Sequence, residues 1–411
     1  HDMTSRMPLP DSLEQQGEEH PLADEAMLLG DRDGVFPTTS DNDVQMYVGG
    51  EDYYDAIEQV VLAASDHIHF EFFEWEHDDI GRRFRDLLAE KAAEGVELRV
   101  LVDAFGASAG NGTFMEPLVE AGGEIATVMP MSLVERRLSI NFRNHRKIVV
   151  VDGRVGFTGG INIGEKYTNW LDLGFRFDGP VVNQLQEVLT SDWYYATDEA
   201  LADARYFRGA ESPVNGEDAD SDRSVPDARD VLARAVASGP DRADSLIRNI
   251  FFMAMTSARE RIWVTTPYLV PDQAILTAIR AAAYRGVDVR LILPANSDVA
   301  VARAAGRSYF DELLEAGVKI YEYDSRMLHA KTLIVDTDWV VIGSANMDIR
   351  SLRLNFEVNC MLRSAELNGR LASEYETWQD DSRQVTEQDC RQRDVMQRFS
   401  ERTARLLGPL L

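Results

Sequence analysis

The sequence predicts an α/β protein built from two homologous halves, each an α/β/α sandwich with a mixed, largely parallel sheet. Two observations support this prediction. A strand–helix–strand pattern occurs twice, and apolar runs joined by an amphipathic helical segment are typical of parallel βαβ units. A short polar motif also occurs twice, once late in each half. At 411 residues and 45% hydrophobic content, the chain is long enough for two such halves.

The first strand–helix–strand unit lies in the N-terminal half. Residues 53–64 have the apolar spacing of a helix, and residues 68–73 then form an apolar run typical of a buried strand. Asp78 is a candidate N-cap for a helix that continues to about Glu94, just before a glycine. Residues 96–102 predict the next strand.

The second unit repeats this order. Residues 261–266 predict a strand, Asp272 opens a helix that ends near Gly286, and residues 287–293 predict another strand. Residues 395–411 have the spacing of a helix. We expect this helix to pack on the protein body, with a membrane-surface position as the alternative.

Composition divides the chain into four segments. Residues 1–40 form an acidic, flexible lead-in, and residues 41–208 form the first half. Residues 209–240, rich in Asp, Ser, Pro and Gly, predict an acidic solvated linker. Residues 241–411 form the second half, which includes the C-terminal helix.

Charge and cysteine content exclude several classes of function. A net charge of −28 opposes a broad nucleic-acid-binding surface, which needs clustered basic residues. The 2 cysteines are too few for a disulfide framework or a cysteine metal site. No run approaches the roughly 20 apolar residues of a transmembrane helix. The high acidity fits a salt-rich habitat, while the scarcity of lysine fits a bias toward arginine equally well.

The repeated motif is H-x-K-x4-D, followed by a small-residue turn and an asparagine. Alignment of His145 on His329 brings the other motif positions into register without a gap. The matched pairs are Lys147 with Lys331, Asp152 with Asp336, Gly159 with Gly343, and Asn162 with Asn346. After His77, the chain contains no other histidine. Chance does not account for this repetition, and we therefore expect the motifs to carry the chemistry.

The motif residues suit chemistry on a phosphate. The apolar residues after each lysine predict a buried strand, on which positions two apart share a face. Each histidine then lies beside a lysine, so that the imidazole can attack or transfer a proton while the ammonium binds an oxygen. Asn162 and Asn346 can donate amide hydrogens to the same oxygens. If both motifs meet at the interface of the halves, one imidazole is the nucleophile and the other the general acid and base. Lysines and asparagines neutralise the charge, so we expect no metal and no cofactor.

Four carboxylates belong to the candidate site. Asp152 and Asp336 complete the two motifs, but the apolar residues that separate them from the lysines favour a role in the local fold. Asp172 and Glu357 lie ten and eleven residues beyond their asparagines. A carboxylate on the far nitrogen of an imidazole fixes its tautomer, and we predict that these two orient the histidines. The alternative for each is an ordinary surface carboxylate.

The doubled motif resembles the signature of the phospholipase D superfamily, and within it the chain is similar to the bacterial cardiolipin synthases. The resemblance extends from about residue 68 to residue 411. It is carried by residues 79–84, 143–147, 156–164, 266–272, 307–314, 328–331, 347–351, 354–357 and 404–411. One departure is Trp170-Leu171-Asp172, where the family commonly has Trp-Arg-Asp.

This resemblance implies a reaction. His145 would attack the phosphate of phosphatidylglycerol, and His329 would protonate the leaving glycerol and then activate a second phosphatidylglycerol. The choice of His145 as nucleophile comes from the family, since the symmetry of the motifs allows the reverse. One branch of the family carries paired N-terminal membrane helices, which this sequence does not show. We therefore expect a peripheral position on the cytoplasmic side of a bacterial membrane, with an N-terminal anchor upstream if the sequence is truncated. One chain carries both motifs, so we expect a monomer.

Residues 129–146, with four arginines among apolar side chains, are a candidate lipid-docking segment, or else an ordinary surface loop and strand.

Three other functions compete with the synthase. They are a phospholipase D that uses water, phosphatidylethanolamine or a polyol as acceptor, a nucleic-acid phosphodiesterase, and a catalytically silent membrane-binding protein. The net charge opposes the second, and two complete motifs oppose the third.

Overall fold

The computed structural model describes residues 36–106, 111–128, 142–209, 225–241 and 245–408. These residues form two compact units. The first unit ends at Ala235 and the second begins at Val236, except that Asn169–Asp172 belongs to the second unit. The predicted division into two α/β halves is confirmed.

The first unit contains a sheet with helices on both faces. Its elements are β1 (Thr39–Val48), α1 (Gly50–Leu62), β2 (His67–Phe72), α2 (Asp79–Ala93), β3 (Glu97–Asp103), α3 (Asn111–Glu120), β4 (Glu124–Val128), β5 (Lys147–Val151), β6 (Val155–Gly159), β7 (Leu173–Asp178), α4 (Val181–Thr197) and β8 (Ala228–Ser238), with 3-10 turns at Glu165–Thr168 and Ala204–Tyr206. The strand order is β8-β1-β7-β6-β5-β2-β3-β4. His69 contacts Gln186 of α4, whereas the adjacent Phe70 packs on Phe84 of α2. Neighbouring strand residues point to opposite faces, so α4 and α2 cover opposite sides of the sheet.

The second unit repeats this plan. Its elements are α5 (Leu246–Ser257), β9 (Arg261–Thr265), β10 (Leu269–Val270), α6 (Gln273–Tyr284), β11 (Asp288–Pro294), α7 (Ala300–Arg307), α8 (Phe310–Glu315), β12 (Lys319–Tyr323), β13 (Thr332–Val335), β14 (Trp339–Gly343), β15 (Met347–Asp348), α9 (Ile349–Arg353), β16 (Glu357–Arg363), α10 (Ala365–Asp380), β17 (Ser382–Val385), α11 (Glu387–Gln392) and α12 (Val395–Leu406). The main sheet has the order β17-β12-β11-β9-β13-β14-β16, and β10 pairs with β15.

The sheets are mixed, as predicted, but the expectation that they are largely parallel is wrong. In the main sheets, the parallel pairs are β2–β3, β3–β4, β9–β11 and β11–β12. These pairs lie in and beside the two predicted βαβ units, both of which are confirmed. The motif strands β5 and β13 instead enter tight hairpins with β6 and β14. Two strands joined by a tight hairpin must be antiparallel. Most of the remaining sheet is therefore antiparallel.

The predicted segment boundaries need two corrections. Strand β1 begins at Thr39, inside the predicted lead-in. Residues 228–238 of the predicted linker form β8, which pairs with β1. Acidic composition obscured the apolar residues Val231, Ala233 and Ala235, which are buried. Residues 233–238 are all buried, and this burial outweighs the polar flanks and makes the segment a strand.

The C-terminal helix is confirmed as α12, which packs against α7. In the part of the chain that the structure describes, no helix is both long and apolar enough to cross a membrane. Of the candidate lipid-docking segment 129–146, residues 129–141 lie outside the described residues. Arg146, at the end of that segment, is buried and forms an ion pair with Asp192. That arginine is therefore not available to lipid headgroups.

Candidate active site

The first motif lies where the chain enters β5. The side chain of Lys147 is fully buried, and its Nζ donates a hydrogen bond to the backbone oxygen of His145 at 2.6 Å. The half-buried His145 ring meets the Phe73 ring edge-on, with centroids 5.1 Å apart. Lys147 Nζ also lies 5.4 Å from the centre of the Phe73 ring. Phe73 therefore packs against the imidazole and the ammonium together.

A buried polar network supports His145 from the sheet side. Asn144 donates from Nδ2 to Glu71 Oε1 at 2.6 Å and from its backbone N to Asp103 Oδ2 at 2.7 Å. Arg146, on the other side of His145, is paired with Asp192. Burial and the nearby Asp192 carboxylate raise the pKa of Glu71 well above its usual range. Both neighbours of the histidine are thus fixed by hydrogen bonds, which restricts the backbone at His145.

Asn162 follows the glycine turn at the end of β6. Its backbone oxygen accepts from Tyr54 Oη at 2.5 Å, and its Oδ1 accepts from the backbone N of Glu74 at 3.2 Å. Its Nδ2 donates to Tyr167 Oη at 3.3 Å. Because Oδ1 is held by a backbone N–H, the amide orientation is set and Nδ2 provides the remaining donor.

The second motif contains a close contact between an imidazole and a carboxylate. Asp172 Oδ2 lies 2.6 Å from His329 Nδ1, and Asp172 is fully buried. Lys331 Nζ lies 2.8 Å from the same nitrogen and donates to the backbone oxygen of His329. A ring nitrogen that donates to a carboxylate cannot also accept from an ammonium. We assign the hydrogen on Nδ1 to Asp172, because a bond to a charged acceptor is the stronger one. This assignment leaves Nε2 to take or give a proton.

Burial and nearby negative charges have opposite effects on the pKa of Lys331. Burial lowers the pKa of Lys331 to about 8, although the carboxylates of Asp172 and Glu357 favour the charged form. Asp172 Oδ2 lies 3.9 Å from Lys331 Nζ. The ammonium is therefore held in a dry site among carboxylates, where a bound phosphate would further stabilise its charge.

Asn346 and Glu357 lie on the elements that follow β14. The buried Oδ1 of Asn346 has no hydrogen-bond partner among the described residues. Glu357 is fully buried and accepts from Ser344 Oγ at 2.5 Å and from Asn355 Nδ2 at 3.2 Å. Burial, together with the charge of Glu357, raises the pKa of Asp348 to about 7. These residues form a second buried polar network next to Lys331.

The motif aspartates lie at the opposite ends of their strands from the histidines. Asp152 accepts hydrogen bonds from the backbone N of Ser65, Asp66 and His67. Asp336 makes the matching bonds to the backbone N of residues 259, 260 and 261. Each aspartate lies seven positions after its histidine, about 20 Å along a strand. The geometry favours the role in the local fold.

A cavity of about 400 Å³ opens beside the second motif. Trp170 forms part of its wall, and its ring meets the His329 ring with centroids 5.0 Å apart. The other lining residues include the polar Asn296, Asp298 and Asp324 as well as the apolar Met327. Tyr268 Oη donates to Asp298 at 2.8 Å, and Asn296 Nδ2 donates to Asp324 at 2.9 Å. The cavity thus presents hydrogen-bonding groups close to His329.

Several residues around the motifs were not predicted from the sequence. They are Phe73, Glu71, Asp103, Asn144, Trp170 and Ser344. Glu71 and Asp103 do leave a signal, since Glu71 lies between Phe70 and Phe72 and Asp103 follows a run of three apolar residues. A buried charge needs partners, and such positions are therefore candidates for supporting networks.

Comparisons with known proteins identify the family. A family model described as "Cardiolipin synthase, PLD-like domain" matches residues 57–193 and 252–378. The chain is 39% identical over 393 residues to a cardiolipin synthase of Geobacillus thermodenitrificans, covering 93% of this chain and 75% of that protein. It is 38% identical over 385 residues to a cardiolipin synthase of Alkalihalophilus pseudofirmus, covering 92% and 74% respectively.

Among solved structures, phosphatidylserine synthase of Haemophilus influenzae is similar in fold. Its TM-score is 0.67 at 13% identity, with 90% of this chain and 95% of that chain covered. That level of identity shows a shared fold alone. The matches to the family model and to the two synthases show the family as well: the chain belongs to the cardiolipin synthase family of phospholipase D-like proteins.

Proposed function

We propose that this protein is a cardiolipin synthase that transfers a phosphatidyl group between two phosphatidylglycerol molecules. The products are cardiolipin and glycerol, and the intermediate is a phosphatidyl-histidine. Both motifs act on the same phosphodiester in this proposal. No metal takes part in this proposal, because Lys147 and Lys331 balance the phosphate charge and the two asparagines donate hydrogen bonds to its oxygens.

In the first step, a ring nitrogen of His145 attacks the phosphorus of phosphatidylglycerol. A nitrogen–phosphorus bond forms and the bond to the glycerol oxygen breaks. His329 gives the proton on Nε2 to that oxygen, and glycerol leaves. The assignment of His145 as nucleophile follows the family resemblance.

In the second step, the neutral His329 takes a proton from a hydroxyl group of a second phosphatidylglycerol. The oxygen attacks phosphorus, the nitrogen–phosphorus bond breaks, and cardiolipin is released. His329 ends the cycle protonated, as it began. Asp172 acts as a positioning residue, since its charge stabilises the imidazolium in each cycle.

The observation that carries the proposal is the 2.6 Å contact between Asp172 Oδ2 and His329 Nδ1. A surface carboxylate would not be fully buried against an imidazole. Membership of a family whose curated relatives are named cardiolipin synthases supports the choice of lipid.

The cavity beside Trp170 suits the headgroup of the acceptor. A glycerol headgroup carries two hydroxyl groups, which can donate to the carboxylates of Asp298 and Asp324. The Trp170 ring would cover the carbon atoms of the headgroup, next to His329. A polyol bound there would present its hydroxyl group to the general base.

The substrate also implies where the enzyme works. Phosphatidylglycerol lies in a bilayer, so the protein must act at a membrane surface. We place it on the cytoplasmic face of the bacterial membrane as a peripheral protein. One chain supplies both motifs, and a monomer is then sufficient for turnover.

Mass spectrometry of lipids tests the proposal. Purified protein is incubated with phosphatidylglycerol vesicles in the presence of a chelator, and the products are compared with those of His145→Ala and His329→Ala. We expect cardiolipin and equimolar glycerol from the unaltered protein and neither product from the two variants. His77→Ala, which changes a histidine outside the motifs, is the matched control and should retain turnover.

Two outcomes would contradict the proposal. Phosphatidic acid as the sole lipid product would identify a hydrolase. Turnover that persists in His145→Ala would exclude the covalent intermediate.

A further inference from the structure

The C-terminal helix α12 presents a large apolar face that the rest of the described chain leaves uncovered. Its exposed apolar side chains are those of Val395, Met396, Phe399, Leu406 and the adjoining Leu407, with exposures between 43% and 82%. Successive helical residues are about 100° apart, so these five side chains fall within an arc of roughly 120°. Scattered exposed apolar residues are ordinary, but a continuous stripe on one helix indicates a binding surface.

The exposed stripe is not needed to hold the helix in place. The opposite side of α12 is anchored by Glu401, which accepts from Arg393 at 2.7 Å. Arg405 donates to Glu312 at 2.8 Å and lies over the Tyr309 ring at 3.9 Å. These contacts fix the helix to the second unit with its apolar stripe directed outward.

Basic residues accompany the stripe. Residues 391–407 contain five arginines and two acids, a net charge of +3 within a chain whose net charge is −28. Arg398 and Arg402 are exposed and lie along one border of the stripe, and Arg391 is exposed just before the helix. An apolar stripe bordered by arginines is complementary to a surface with apolar depth and anionic headgroups.

The helix is also connected to the second motif. It packs along α7, and α7 contacts β10. Strand β10 pairs with β15, which begins immediately after Asn346. At the end of α12, a Cβ atom on Gly408 would lie 3.0 Å from Val270 Cγ1 of β10. A short chain of packed elements thus links the helix to Asn346.

From these observations we propose that α12 docks the enzyme on an anionic phospholipid bilayer. The apolar stripe enters the boundary between headgroups and acyl chains, and the arginines contact the phosphates. This inference rests on the proposed function, because a lipid substrate is the reason for the enzyme to approach a bilayer.

A second copy of the chain fits this face less well. In a symmetric pair the same surface meets itself, so the arginine border would lie near an identical arginine border. An acidic bilayer provides opposite charge along the whole border.

The test measures binding and catalysis separately. Vesicle co-sedimentation with phosphatidylglycerol vesicles compares the unaltered protein with the double variant Phe399→Ser/Leu406→Ser. Each loss of a buried apolar side chain lowers partitioning by about tenfold or more, so we expect a decrease of about 100-fold. Turnover of a short-chain phosphatidylglycerol, dissolved below its micelle concentration, should be unchanged because that substrate needs no bilayer.

The control replaces exposed apolar residues on other helices. Leu62→Ser/Val119→Ser changes two such residues of α1 and α3 and should bind vesicles like the unaltered protein. Arg402→Glu should weaken binding to phosphatidylglycerol vesicles and leave the weak binding to phosphatidylcholine vesicles unchanged.

The proposal is overturned if the double variant binds phosphatidylglycerol vesicles as tightly as the unaltered protein. It is also overturned if light scattering shows a dimer that the double variant dissociates while vesicle binding persists. Failure of the proposed function gives a different result, namely vesicle binding through α12 without turnover of the short-chain lipid.

Discussion

At the residue scale, the charge of Asp172 is expected to control His329. Asp172→Asn removes the negative charge beside Nδ1, so the imidazolium that forms in each catalytic cycle is no longer stabilised. We expect kcat to fall on the order of 10²- to 10⁴-fold while KM changes little. Steady-state assays with phosphatidylglycerol measure both constants.

Asp178→Asn is the control for this substitution. Asp178 ends β7 and pairs with Arg176, away from the histidine, so its variant should keep kcat within about twofold. A kcat for Asp172→Asn equal to that of the control would refute the positioning role.

The pKa of Lys331 predicts the pH above which activity declines. Its pKa in the folded protein is lowered to about 8 by burial, so the ammonium is present below that pH and is lost above it. Phosphate binding needs the charge. We therefore expect kcat/KM for phosphatidylglycerol to fall by about tenfold per pH unit above that pKa.

Lys331→Arg tests whether deprotonation of Lys331 causes this alkaline fall in kcat/KM, because a guanidinium stays charged throughout the accessible pH range. The variant should be slower, yet its pH–rate profile should lack the alkaline fall near pH 8. An unchanged fall would assign it to another group.

At the element scale, the two motif hairpins are held by carboxylates at their turns. Asp336 binds three backbone N–H groups and has a φ of 48°, which costs little for aspartate and more for alanine. Asp336→Ala should lower the free energy of unfolding by about 2–4 kcal/mol. Turnover per folded molecule should stay within about twofold, because the carboxylate lies far from His329.

Asp338→Ala is a matched control two residues further on. Asp338 makes a partly exposed ion pair with Arg363, so its loss should cost less than about 1 kcal/mol. Urea unfolding followed by fluorescence compares the three proteins. A large loss of kcat in Asp336→Ala at unchanged stability would instead assign the aspartate to catalysis.

At the scale of the whole molecule, the acidic surface should make stability depend on salt. With a net charge of −28, the acidic side chains repel one another. At 0.1 M ionic strength, salt largely screens this repulsion between charges more than about 10 Å apart. We expect the thermal unfolding midpoint to rise by several degrees between about 0.05 M and about 1 M NaCl. Sucrose of equal osmolality controls for non-ionic effects, and a midpoint that falls with NaCl alone would contradict this expectation.

The sequence predicts local features well because they depend on neighbouring residues. The spacing of apolar residues predicted β2, α2 and β3, and glycines marked the ends of helices. The repeated motif predicted which strands carry the polar residues, since the match of His145 with His329 needs no knowledge of distant contacts.

Strand pairing could not be predicted in the same way. Strand β5 pairs with β2, which lies more than 70 residues earlier in the chain. The direction of this pairing depends on the path of the intervening chain, which local sequence does not reveal. For β8, acidic composition suggested a linker, and its pairing with β1 across nearly 190 residues decided the strand.

The sequence by itself determined two α/β halves, two buried motif strands and a set of polar residues suited to phosphate chemistry. Tertiary structure alone decided which imidazole Asp172 contacts, which backbone amides Asp336 binds, and that Asn144 joins Glu71 to Asp103. The periodic spacing of apolar residues depends on a few neighbouring residues, so it can be read from a single sequence. A buried hydrogen bond joins residues that only folding brings together, and its partner cannot be inferred from the spacing of either residue.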